Sequence, residues 1–386
     1  MSFADIKHQP HAVRSIQRAF RRDRLHHAYL FHGPDGVGKE KLAAALAQLL
    51  LCGRPIDEAA AGDDSEAAGA GVRRCGCGRC DDCRSVLAGT HPDLHIIHRQ
   101  LNREHPDPSV RKRKGLDIGV DVLRHFVIEK VGKTPMRGRA KLFIVREADR
   151  ITTPAQNALL KTLEEPAGAT VIVLLVTSLD RLLPTTLSRC QIVRFDALPT
   201  EFVRRKLGAL RPKLPNESLD WCSRYAEGSV GRALQTSDDN LFAVNAGLTA
   251  GFASLASGDR KTAPNLTSWT DTSKALGTIY GKRDPEITPT EATRRGLQAV
   301  FQLAATWYAD LLRCAAGEPE RMVNVQAKTS LASMAEGADR SDVIRAINRL
   351  AEAEHHLDLN ANTQLVVETL LNDLARLGTG SAAAGV

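Results

Sequence analysis

The chain has 386 residues, 43% of them hydrophobic and only 4% aromatic, with a formal net charge of +7. That length suits two or three globular domains of roughly 100–200 residues each, and the charge permits nucleic-acid contact without requiring it. So few aromatics argue against base-stacking platforms, and no run approaches the ~18–20 apolar residues of a membrane span. The first residues, Met-Ser-Phe-Ala-Asp-Ile-Lys, lack the apolar core of a signal peptide. A soluble, cytoplasmic protein is expected. In that compartment the eight cysteines read as metal ligands or buried thiols before disulfides.

In chain order, residues 28–32 (Ala-Tyr-Leu-Phe-His) form a short apolar strand candidate before a glycine-rich loop. A helix follows, because Leu42, Ala45, Leu46, Leu49 and Leu50 share one helical face. Residues 54–74 are rich in Ala, Gly and Asp without apolar periodicity and read as a mobile surface insertion. Residues 94–98 suggest a second strand. Val120 to Val131 fits a helix with Val120, Leu123, Val127 and Val131 inward. The runs 142–145 and 171–176 are apolar and rich in β-branched residues, as a parallel sheet covered on both faces requires. Thr152 to Leu163 between them fits a helix, with Pro154 near its start and Pro166 beyond its end. Residues 191–195 are a last strand. Strands alternating with helices imply an α/β layer fold. From about residue 198 the pattern is helical, first over a small unit at 199–236 and then over a larger one. The tail 378–386 is expected to be disordered.

The glycine-rich loop is Gly33-Pro-Asp-Gly36-Val-Gly38-Lys39-Glu40. In G-x-x-x-x-G-K-[ST] the backbone N–H groups cradle phosphates, the lysine reaches the β/γ oxygens and the hydroxyl holds Mg²⁺. Here Gly33, Gly36, Gly38 and Lys39 stand between a strand and a helix, but Glu40 replaces the hydroxyl residue. The strand Lys141-Leu-Phe-Ile-Val-Arg146-Glu147-Ala-Asp149 repeats the defect. A metal-holding Asp is expected before Glu147, and Arg146 stands there. A cation in that place opposes Mg²⁺. The loop therefore reads either as a fossil that packs a helix on the sheet or as a residual nucleotide site. Hydrolysis in it is not expected.

Cys77-Gly-Arg-Cys80-Asp-Asp-Cys83 gives two successive C-x-x-C steps, which let three thiolates turn onto one tetrahedral ion. A closed structural site needs a fourth ligand, for which Cys52, Cys75 and His91 are the candidates. Cys52, at the end of the loop helix, is favoured. No general base stands beside the cluster, so a structural Zn²⁺ rather than a catalytic one is expected. Cys190, Cys222 and Cys314 read as buried thiols. The basic run Arg111-Lys-Arg-Lys114 reads as a solvated turn before a DNA contact.

Together these residues resemble the clamp-loader branch of AAA+ proteins and, within it, the delta-prime family of the bacterial DNA polymerase III clamp loader. The likeness runs to about residue 376. It is carried by His27-Ala-Tyr-Leu-Phe-His-Gly-Pro34, by Cys77 to Asp93, by Asn157-Ala-Leu-Leu-Lys-Thr-Leu-Glu-Glu-Pro166, and by Ser188-Arg189-Cys190. Gly228-Ser-Val-Gly-Arg232-Ala-Leu234 and Asn360 to Leu371 add to it. The resemblance implies a RecA-like domain over 1–197 with a zinc module at 52–92, a helical lid over 198–240 and a helical collar over 241–377. It also implies gamma/tau and delta subunits as partners, the sliding clamp reached through the complex, and weak direct contact with primed DNA. It makes Arg189 an arginine finger on the neighbouring subunit's ATP. Motor subunits of the family carry GK[ST] and D-E-A-D. The departures here point to a subunit that does not hydrolyse ATP, and the runner-up is a gamma/tau-type motor.

Overall fold

The computed structural model describes residues 2–59, 72–258 and 266–378. The centre of the expected insertion (60–71) and all of the expected disordered tail except Gly378 lie outside the described residues. The chain divides into two compact units, Met1–Pro199 and Thr200–Val386.

The first unit is built on a five-stranded sheet. In chain order the unit contains α1 (Pro10–Arg21), β1 (Ala28–His32), α2 (Lys39–Leu51), β2 (Ile56–Ala59), β3 (Val72–Cys75), α3 (Asp81–Leu87) and β4 (Leu94–Ile97). It continues with α4 (Pro108–Arg111), α5 (Val120–Leu123), α6 (Glu129–Val131), β5 (Lys141–Val145), α7 (Thr153–Glu164), β6 (Thr170–Val176), α8 (Pro184–Leu187) and β7 (Gln191–Arg194). The sheet order is β4-β5-β6-β1-β7, with every neighbouring pair parallel. β1, the strand that feeds the glycine-rich loop, is thus flanked by β6 and β7.

Every residue of β5 and β6 is buried. Alternate side chains serve opposite faces. Leu30, Phe143, Val145, Ile172, Leu174 and Val176 pack with Leu123, Val127, Leu159 and Leu163 on one side. Their neighbours Tyr29, Phe31, Leu142, Ile144, Val173 and Leu175 are equally buried, and α2 packs on β5 and β6. This two-sided burial is why the strands read as continuous apolar runs. The helix expected over 120–131 is present but not regular. A π-turn at Arg124–Ile128 separates α5 from α6, and Leu123, Val127 and Val131 still face the core as expected. The ends of the insertion do form structure that its composition gave no sign of: β2 and β3 pair antiparallel, Ile56 opposite Cys75.

Gly33 marks where backbone meets backbone. Its φ is +155°, and a Cβ there would lie 2.3 Å from the Phe195 carbonyl oxygen and 2.8 Å from the Phe195 Cβ. Gly33→Ala is therefore expected to cost at least ~1–3 kcal/mol through overpacking. An unchanged denaturation midpoint would show that the β1 and β7 ends can part without penalty.

The second unit is all helical. α9 (Thr200–Leu210), α10 (Asn216–Tyr225) and α11 (Val230–Asp238) pack on one another. They are followed by α12 (Leu241–Ser257), α13 (Leu266–Arg283), α14 (Pro289–Ala315), α15 (Lys328–Gly337), α16 (Arg340–Asp358) and α17 (Thr363–Leu377). The long α14 packs against α13, α15 and α16, burying Phe301 and Trp307. A buried polar network links the short helices to the long ones. Trp221 Nε1 and Asn245 Nδ2 both donate to Asn324 Oδ1, at 2.9 and 2.8 Å. The buried Asp310 carboxylate accepts the backbone N–H of Val323 and of Asn324. On α17, Val367, Leu370 and Leu374 are buried, three and four residues apart on one helical face, while Leu371 is half-buried. Among the described residues no helix is long and apolar enough to cross a membrane.

Candidate functional site

The glycine-rich loop leaves β1 and enters α2 at Gly38, whose φ is +111°. Gly33 and Gly36 also take positive φ, so the loop has the backbone that a phosphate cradle uses. Its lysine is turned inward. Lys39 is 6% exposed, and its ammonium donates to the carbonyls of Gly33 and Pro34, the latter at 2.8 Å. Burial holds its pKa below the usual lysine range, partly offset by Asp35 and Asp149.

The two substituted positions meet in space. Arg146, at the end of β5, donates through Nη2 to Glu40 Oε1 on the first turn of α2. Both side chains are about half exposed (42% and 54%), so the pair adds little stability, ~0–1 kcal/mol. Its importance is its location. Glu40 occupies the helix end that favours anions, and the guanidinium of Arg146 neutralises it there. Next to Arg146, Glu147 adopts a left-handed backbone (φ +48°). Its carboxylate pairs with Arg99 at 3.3 Å and Arg150 at 3.6 Å. Asp149 accepts a hydrogen bond from Thr177 Oγ1 at 2.5 Å, linking β5's end to β6's end. Each acidic group of the Arg146–Asp149 segment is thus engaged by the chain itself.

Arg189 follows α8 and precedes β7. Its Nε donates to Glu164 Oε1 at 2.6 Å and its Nη1 to the Thr185 carbonyl at 2.8 Å. The side chain remains 30% exposed. The guanidinium is therefore oriented by α7 and α8 and still open to solvent. Such an arrangement holds a cation ready for an external anion without burying it.

The cysteines converge as their spacing suggests. Cys52, Cys77, Cys80 and Cys83 place their sulfurs within 4.8 Å of one another. Cys52–Cys80 and Cys77–Cys83 are 3.8 and 3.9 Å apart. A tetrahedron of Sγ atoms about 2.3 Å from its centre has edges of roughly 3.8 Å, so the set fits one thiolate-bound divalent cation. Backbone N–H groups of Arg54 and Cys77 point at Cys52 Sγ, that of Cys80 at Cys77 Sγ, and that of Cys83 at Cys80 Sγ. The N–H groups of Arg79 and Cys80 pull the Cys77 thiol down to about 6. Burial pushes Cys52 and Cys83 up. A cation is what lets such thiols shed their protons together. Cys75 points elsewhere, to Glu58 Oε2 at 3.3 Å and Ser2 Oγ at 3.8 Å. His91 is also outside the group, and its Nε2 lies 3.6 Å from Asp82. The fourth candidate ligand is therefore Cys52.

The remaining sequence candidates lie apart. Arg111 donates to the carbonyls of His105 and Pro106, and Arg113 pairs with Asp121 at 2.8 Å, so half of the basic run serves its own loop. In the second unit, Arg232 pairs with Glu227 at 2.9 Å and lies 4.9 Å over the Tyr225 ring.

Comparison with known proteins places these features. Residues 8–199 match the family model described as "DNA polymerase III, delta subunit". The delta-prime subunit of Pseudomonas aeruginosa is 34% identical over 248 residues, 63% of this chain and 65% of that protein. That of Bacillus subtilis is 33% identical over 199 residues, 52% of this chain and 51% of that protein. The chain belongs to the family of DNA polymerase III clamp-loader subunits. The family's tau subunits also match: that of Salmonella typhimurium is 31% identical over 244 residues, 62% of this chain but 33% of the tau protein. The chain spans less than two thirds of the length of these curated relatives.

Sequence reasoning within this clamp-loader family did not find the partners of the site residues. Glu164, which orients Arg189, lies 25 positions away, and Glu40 lies 106 positions from Arg146. The only sequence signal for the second pair is that one substitution puts a carboxylate where a neutral hydroxyl is expected and the other puts a cation where a carboxylate is expected. Nothing in the local pattern pairs them.

Proposed function

We propose that this chain is a delta-prime-type subunit, which hydrolyses no ATP itself and supplies Arg189 in trans to the nucleotide of a neighbouring gamma/tau subunit. The observation that carries the reading is the Glu40–Arg146 ion pair, which stands where a phosphate loop and an acidic strand would hold Mg²⁺. A hydroxyl and a carboxylate are replaced by two groups that satisfy each other, and Lys39 is satisfied by its own loop. Arg189, in contrast, is braced and partly exposed. In this reading the remaining partners are the delta subunit, the sliding clamp through the complex, and primed DNA, all in the cytoplasm. The segments 198–240 and 241–377 act as lid and collar. The four-cysteine cluster holds one structural Zn²⁺ that ties the end of α2 to α3.

The family's motor subunits match at nearly the same identity, which keeps an ATP-hydrolysing gamma/tau-type role as the second reading. ATP turnover by the isolated, monodisperse chain decides between the two. None is expected, and turnover at rates typical of a clamp-loader motor would overturn the delta-prime assignment.

The ion pair makes a separate expectation. In titrations of a fluorescent ATP analogue, Mg²⁺ should not tighten binding to the native chain. The double variant Glu40→Thr/Arg146→Asp, which restores both ligand types, should bind the analogue more tightly with Mg²⁺ than without it. Equal Mg²⁺ dependence in the two proteins would remove the role given to the pair.

A further inference from the structure

A groove outside the loop and the cysteine cluster concentrates positive charge that no acid among the described residues meets. α1 buries Ala12, Val13, Ile16 and Gln17. Its opposite side, with the turn that follows, lines an open groove of about 580 Å³ with His11, Arg14, Arg18, Arg22 and Arg24, closed on one side by Gln191 of β7. None of these four arginines has a carboxylate partner among the described residues. Among the described residues, the Arg14 guanidinium has a polar contact with His11 Nδ1 at 3.2 Å and with no other side chain. Between Ile6 and Pro34 the only acidic residue is Asp23, and it does not line the groove. Elsewhere in this unit arginines are routinely paired, as Arg99, Arg113, Arg146 and Arg189 are. Cations in the last turn offset the helix dipole. That accounts for Arg18 and Arg21, but not for Arg14 a turn earlier or Arg24 beyond the helix.

Arg14, Arg18 and Arg22 recur every four positions, a rise of ~6 Å per step along the helix. A row of guanidiniums at that repeat matches successive phosphates of one strand, each of which can take a charge-assisted hydrogen bond. The described lining of the groove contains no Phe, Tyr or Trp, and His11 is its one ring, so it offers no platform for stacking successive bases and no sequence readout.

We propose that this α1 groove binds the phosphate backbone of a nucleic-acid strand without sequence preference. The choice of nucleic acid over other polyanions rests on the reading of the chain as a subunit of a machine that works on DNA. The groove includes Gln191, two residues past Arg189 in the chain, and Arg189 itself does not line it.

The test is fluorescence anisotropy of a labelled single-stranded oligonucleotide of mixed sequence with the full chain, over a salt series. Arg18→Gln/Arg22→Gln should shallow the slope of log K against log salt by about 1.4, at ~0.7 per lost phosphate contact, and weaken binding several tens-fold near 0.05 M salt. Lys112→Gln/Lys114→Gln, in the other basic run, should bind as the native chain does. An unchanged slope and affinity in the Arg18/Arg22 variant, with native circular dichroism, would overturn the proposal. So would loss of binding in the Lys112/Lys114 variant alone. Competition by poly-glutamate as effective as that by the oligonucleotide at equal charge would also overturn it, in favour of an acidic protein surface. Oligonucleotide binding is read on this chain alone and the arginine finger on the ATPase of the reconstituted complex, so failure of the groove and failure of the arginine-finger reading are separate results.

Discussion

Replacing Arg189 by alanine is expected to lower the DNA-stimulated ATPase and clamp-loading rates of the reconstituted complex, while this chain keeps its fold and metal. An arginine that stabilises charge on a transferring phosphoryl group is worth ~10³–10⁵ in rate at a site that depends on it. In a ring with several nucleotide sites only the one facing this chain is disabled, so the loss in total turnover is smaller than that and appears most clearly in clamp loading. Stability should change little. The Glu164 pair is part-exposed, and such pairs contribute ~0–1 kcal/mol. Glu164→Gln tests the brace rather than the finger. It leaves the guanidinium present but less oriented, and should fall between native and Arg189→Ala. Lys39→Ala should matter much less than Arg189→Ala, because Lys39 serves its own loop. If Lys39→Ala abolished complex ATPase while Arg189→Ala left it untouched, the roles would be reversed and the motor reading would win.

One zinc per chain should co-purify without added metal, and removing any of its four thiolates should release it. Structural zinc sites in small peptides contribute apparent free energies of ~10–16 kcal/mol to folding at neutral pH. The segment that closes this cluster is short, with α3 only seven residues long. Chelation or Cys77→Ser is therefore expected to make the 52–92 module a site of rapid proteolysis, while the parallel sheet persists on its own core. Cys75→Ser is the contrasting variant. Its sulfur faces Glu58 and Ser2, so full zinc content should remain. Elemental analysis well below one zinc per chain would sink the idea, and zinc retained by Cys52→Ser but lost by Cys75→Ser would move the fourth ligand to Cys75.

The sequence by itself determined the elements whose signal is local. Continuous apolar runs placed β5 and β6, because strands buried on both faces leave no polar alternation to confuse the reading. The glycines and lysine of the loop, the C-x-x-C steps and Ser188-Arg189-Cys190 are short motifs, and they single out the candidate site residues without any knowledge of contacts. The π-turn inside 120–131 was invisible, since its residues keep a helix-like spacing of apolar positions and only the hydrogen-bond pattern differs. The hairpin of β2 and β3 was hidden because its strands carry charged residues such as Asp57, Glu58, Arg73 and Arg74 in place of a periodic apolar face.

Tertiary structure alone decided what each named residue touches. The choice among Cys52, Cys75 and His91 turns on where α2 ends relative to α3. That distance is set by packing of helices on the sheet and not by spacing along the chain. The pairing of Glu40 with Arg146 requires the loop after β1 and the end of β5 to lie side by side, although β6 separates the two strands. The bracing of Arg189 by Glu164 requires α7 to end beside the turn after α8. All three depend on strand order, a long-range outcome of burying two faces of one sheet. A motif fixes which chemistry is at hand, and the fold fixes whether opposite charges in it face each other or a ligand.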